Sequence, residues 1–74
     1  MSVIYSYSIS SDFLNASQVG LSDLQDIINN NATIVVNPEY LNQEGDDVIN
    51  IIFSQDLTNA QNAELDSVVS SYTY

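Results

Sequence analysis

Val48-Ile49-Asn50-Ile51-Ile52-Phe53 is the stretch that decides the fold. Its β-branched and aromatic residues favour extended chain, and apolar side chains occur on nearly both sides of it. A strand apolar on both sides has neighbours on either hand, so residues 47 or 48–53 are expected to be the central strand of a sheet. It is entered through Asn42-Gln43-Glu44-Gly45-Asp46, a turn composition in which Gly45 is free to take a positive φ.

Working outward, Thr58-Asn59-Ala60-Gln61 has the spacing of a capping box, in which the Thr58 hydroxyl meets a free amide and Gln61 reaches back. A helix over 59–71 follows, with Leu65, Val68, Val69 and Tyr72 on its apolar stripe. On the other side, residues 3–9 alternate, with Val3, Tyr5, Tyr7 and Ile9 facing one way and Ile4, Ser6 and Ser8 the other, as in a half-buried strand. Phe13-Leu14 lies in a polar loop and is expected to plug one end of the core. Leu21, Leu24, Ile27 and Ile28 recur at helical spacing, predicting a helix over about 18–30 whose first turn is weakened by Gly20, which moves the start toward Ser22. Asn29, Asn30 and Asn31 are available for a left-handed cap at its end. Residues 32–37, rich in β-branched side chains and stopped by Pro38, are expected to be a second strand, and 39–46 a connection.

The resulting fold class is α+β: a small βαββα two-layer sandwich with a three-stranded mixed sheet and two helices packed on one face. The first two strands are expected to run parallel through a right-handed crossover, with the third antiparallel to them. With 74 residues there is room for one domain, residues 1–74, and one thin core. There is no cysteine to staple it, which favours support from association.

The chain carries ten carboxylates and no Lys, Arg or His, a formal charge of −10. No internal ion pair between side chains is possible, so self-repulsion is expected to ease as salt rises. Direct binding of nucleic acid or of an anionic membrane is excluded, because both need cationic side chains. The beginning of the chain has neither a basic region nor a long apolar run, so no targeting segment is expected. Without His, Cys or Lys, the commonest general bases, nucleophiles and transition-metal ligands are missing, and catalysis is not expected.

Two features suggest sites. Glu44, Asp46 and Asp47 crowd three carboxylates into one turn, which a hard cation such as Ca²⁺ could use, although the spacing is not that of a twelve-residue Ca²⁺ loop and a solvated turn is the simpler reading. Among five tyrosines, Tyr5 and Tyr7 suit the sheet core, whereas Tyr72 and Tyr74 suit an interface as well as a core. Ile4, Ile49 and Ile51 are the candidates for a second sheet face that the helices leave open, so the expected interface is Ile4, Ile49, Ile51, Tyr72 and Tyr74.

The pattern Tyr5-Ser6-Tyr7-Ser8-Ile9-Ser10, Asp12-Phe13, residues 24–28, Ile34, Gly45-Asp46-Asp47 leading into the strand to Phe53, Leu57 and Leu65-Asp66 spans nearly the whole chain. It resembles a group of short proteins and modules encoded by tailed bacteriophages and other large DNA viruses, which share a Tyr-Ser-Ile-Ser start, a Gly-Asp-Asp strand entry and a Leu-Asp final helix. The chain departs from that group at Tyr72, where a His is common, and in having no basic residue. The resemblance implies association with a virion: a minor structural protein of capsid or tail, made in the host cytoplasm and bound to itself or to other virion proteins. The alternative from another class is an acidic nucleic-acid mimic that inhibits a basic host protein.

Overall fold

A computed structural model describes residues 2–74 as β1 (Val3–Ser8), α1 (Leu21–Asn29), β2 (Tyr40–Glu44), β3 (Val48–Phe53) and α2 (Asn59–Ser71). The sheet order is β1-β3-β2, so the strand expected at the centre is there. Strands β1 and β2 do run in the same direction, with β3 opposed to both. Because β3 lies between them, however, each hydrogen-bonded pair is antiparallel, and the sheet is antiparallel where a mixed one was expected.

The second strand is displaced from its expected place. Residues 32–37 form a turn, because the Asn31 side-chain oxygen accepts from the amides of both Thr33 and Ile34, at 2.9 Å each, and these local bonds compete with extended pairing. Ile34 is buried and Val36 half-buried, while Val35 between them takes φ 52° and stands 70 % exposed. The strand that pairs with β3 is Tyr40–Glu44, which had the composition of a connection. As an edge strand it turns only Leu41 into the core, so its sequence lacks the apolar density that marks an interior strand. Gly45 takes φ 62° and closes the hairpin into β3, as its freedom of φ allows.

Both helices lie on one face, packed on Ile49, Ile51 and Phe53 through Leu24 and Ile28 of α1 and Leu65, Val68 and Val69 of α2. Helix α2 starts at the expected capping box: the Gln61 amide donates to Thr58 Oγ1 at 3.2 Å, and the Thr58 amide to Gln61 Oε1 at 2.9 Å. Phe13 seals one end of the core, meeting Tyr7 and Tyr72 edge to face at centroid distances of 6.5 and 5.9 Å. Leu14 does not share in this and is exposed. Asn30 caps α1 with φ −93°, outside the left-handed region that the asparagine run was expected to supply.

Candidate functional site

Side chains alternate across β3, and this divides the expected interface residues. Ile49 and Ile51 face the helices and are fully buried, which corrects their assignment to the open face: alternation puts them on the same side as Phe53. Tyr72 is also core, not interface. It is 3 % exposed, and its hydroxyl donates to Asp23 Oδ2 at 3.0 Å and accepts from the Gly20 amide at 3.2 Å, joining the end of α2 to the start of α1. Burial, reinforced by the Asp23 hydrogen bond, raises its phenol above the ordinary range. Ile4 and Tyr74 remain on the surface, 60 % and 71 % exposed. The Tyr74 ring lies over Gly20 so closely that a Cβ there would stand 2.5 Å from it.

The outer face of the sheet is built of three cross-strand rows. Ile4, Ile52 and Tyr40 form an apolar row, with Ile52 buried between exposed neighbours. Ser6, Asn50 and Asn42 form a polar row: Ser6 donates to Asn50 Oδ1 at 2.6 Å, and Asn50 Nδ2 donates to Asn42 Oδ1 at 3.0 Å and to Glu44 Oε1. Asn50 is 5 % exposed and fully satisfied by this network. Ser8, Val48 and Glu44 complete the third row. Neither helix covers this face, since the buried residues of both join the core on the other side. Asn50 is a functional candidate that sequence reasoning passed over, while Tyr40, counted among the five tyrosines, was not assigned to this face. The interruption of an apolar run by one Asn was the available signal.

A second feature lies beside β1. An open cleft of about 420 Å³ is lined by Tyr7, Asp12, Leu14, Asp66, Val69 and serines of the β1–α1 loop and α2. The Tyr7 hydroxyl donates to Asp66 Oδ1 at 2.7 Å, and the Ser8 amide donates to Asp12 Oδ2 at 2.7 Å. Partial burial first, and Asp66 second, push the Tyr7 phenol far above its ordinary value, so it keeps its proton and acts as a fixed donor.

The carboxylates that a hard cation could have used do not converge. Glu44 turns onto the outer face toward Asn50, while Asp47 turns toward β1, accepting from the Ser10 amide at 2.8 Å and from the Ser8 hydroxyl at 2.5 Å. These bonds lower the Asp47 carboxyl below its ordinary value, Ser8 being the larger cause. Among the described residues no three ligating side chains stand close enough to hold a metal, and no helix is long and apolar enough to cross a membrane. No family model, curated protein or solved structure matches this chain.

Proposed function

We propose that this chain is a minor structural component of a virus particle, acting through protein–protein contacts and not catalysis, with the outer sheet face as its docking surface. The observation that carries this reading is the row Ile4–Ile52–Tyr40, whose two ends are 60 % and 52 % exposed on a face that no helix covers. Aliphatic and aromatic side chains held on a rigid sheet contribute apolar contact area at little entropic cost. The row is uncharged, so copies meeting there keep their carboxylates at the rim. The resemblance to virion-associated phage proteins supports the particle as the setting.

Phosphate mimicry fits less well. It needs acids ranked on one surface, and here they are dispersed over the β1–α1 and α1–β2 connections, both helices, β2, the hairpin and the loop before α2.

Light scattering of the purified chain across concentration, at low and raised salt, tests the reading. The mass is expected to grow beyond the 8.2 kDa monomer as concentration and salt rise, and Ile4→Glu is expected to suppress that growth. A mass fixed at the monomer under all conditions would remove self-assembly. Equal growth in Ile4→Glu would move the contact off the outer face.

A further inference from the structure

Strand β1 forms one edge of the sheet, and its backbone phase is fixed at one end by the Ile9 amide donating to the Asp47 carbonyl at 2.6 Å. Antiparallel pairs alternate, so Val3, Tyr5 and Tyr7 bond to β3 while Ile4, Ser6 and Ser8 point their N–H and C=O groups away from it. The loop closes this edge at Ser8, whose carbonyl takes the Asp12 amide at 2.7 Å and whose amide goes to Asp12 Oδ2. At Ile4 and Ser6 it stays open among the described residues.

Edge strands are ordinarily guarded by charge, proline or a bulge. The other edge, β2, contains Glu44 and follows Pro38-Glu39, whereas β1 reads Val-Ile-Tyr-Ser-Tyr-Ser with none of these guards. In a chain with ten acids, this open edge is neutral. The carboxylate-lined cleft begins at Tyr7 of the same strand, and no residue of β2 or β3 lines it, so it lies on the outer side of β1.

We infer that β1 takes an extended segment of another protein as an added strand, and that an arginine or lysine of that segment enters the cleft between Asp12 and Asp66. A partner residue opposite Tyr7 sends its side chain to the face that Tyr7 occupies, where Asp66 stands. Tyr7 and the Ser8 amide each engage one oxygen of Asp66 and Asp12, which fixes the two carboxylates and leaves their other oxygens without a partner among the described residues. Leu14, 72 % exposed on the cleft wall, offers apolar surface to an aliphatic stem. A second copy of this chain could supply a strand but not the cation, since it has no Lys, Arg or His. Charge therefore selects a different, basic partner. This surface is distinct from the outer face and does not depend on its role.

The test is an amide NMR titration of the full chain with a capped nonapeptide of alternating Thr and Val carrying one central Arg, beside the same peptide with Gln in place of Arg. The Arg peptide is expected to shift the amides of Ile4, Ser6 and Asp66. Binding should weaken about tenfold with the Gln peptide and in the double variant Asp12→Asn, Asp66→Asn, which keeps the Tyr7 and Ser8 acceptors. Ser6→Pro removes an outward amide that β3 does not use, together with the Ser6 hydroxyl's bond to Asn50, so it should abolish binding, while Ser6→Ala, which loses that bond and keeps the amide, should melt at a similar temperature and still bind. Equal binding of the two peptides, an unchanged double variant, or no shift at Ile4 and Ser6 would overturn the inference. Shifts confined to Tyr40 and Asn42 would also overturn it while leaving the outer-face reading standing.

Discussion

Replacing Tyr72 by Phe decides between a core and an interface role for that residue, because it removes one oxygen and leaves the ring in place. The oxygen donates to Asp23 Oδ2 and accepts from the Gly20 amide. Asp23 is exposed and can be resolvated, so the cost of losing its bond falls at the low end for a charged acceptor. The Gly20 amide sits at the front of α1, where Gly20 supplies no side-chain cap, and is left without this partner. Together these give a loss of about 1–2 kcal/mol. With an unfolding entropy of about 2.1 cal/mol/K per residue, a chain of 74 residues then melts about 6–13 °C lower. Urea unfolding followed by circular dichroism measures the free energy, and a thermal scan measures the shift. Tyr74→Phe is the control: that ring is 71 % exposed, and the change should stay within about 0.5 kcal/mol. If the two variants lost equally little, Tyr72 would not join α2 to α1, and its return to the core would be wrong.

Three further outcomes follow from the same geometry. Val35→Gly should stabilise the chain by about 0.5–1 kcal/mol in urea unfolding, because a β-branched residue at φ 52° is strained by about 1–2 kcal/mol and the greater unfolded-state entropy of glycine offsets only part of that relief; a loss of stability would mean the side chain has a packing role. Because the phenols of Tyr7 and Tyr72 are raised, their contribution is whole below the unfolded value of 10.0 and falls as pH rises beyond it. For Tyr7 the decline approaches about 1.4 kcal/mol per pH unit between its unfolded and folded values, over a window that solvent screening at this partly exposed group narrows, and Tyr7→Phe should flatten it in an alkaline unfolding series. Added NaCl should raise the melting temperature. The screening length falls from about 30 Å at 0.01 M to about 8 Å at 0.15 M, and so drops below the 27 × 22 × 20 Å extents of the molecule; a melting temperature independent of salt would refute repulsion as a cost.

The parts of the fold that were legible in the sequence are those where one local signal and one burial pattern agree. Helix α2 had both a capping box and a stripe, and its bounds of 59–71 match the expectation. Strand β3 was placed at the centre by apolar density alone. Residues 32–37 misled because β-branched composition describes a preference for extended backbone and not a partner. Asn31 offered the backbone nearer hydrogen bonds, and Gln61 Nε2 donates to the Ile34 carbonyl at 2.7 Å, holding the turn against α2. Strand β2 was hidden for the opposite reason: an edge strand with a solvated outer face needs only one inward residue, and Leu41 is too little pattern to see.

Site residues were less legible, because the phase of an apolar run cannot be read when nearly every position is apolar. Ile51 and Ile52 differ by one step, and a shift of one residue exchanges inner and outer faces. Asn50 resolves the ambiguity. A buried amide on the helix side would face Leu24, Ile28, Leu65 and Val69 with no polar partner, whereas on the outer side Ser6, Asn42 and Glu44 satisfy it. The single polar residue in the central strand therefore sets the phase, and with it the face that carries Ile4 and Tyr40. It also limits that face. Without Asn50 the apolar row would extend along β3 toward Val48, and a two-sided apolar sheet in so small a chain would associate without selection. With it, apolar contact is confined to the Ile4–Ile52–Tyr40 end and a polar row must be matched beside it. That combination suits a defined neighbour in an assembly better than indiscriminate aggregation.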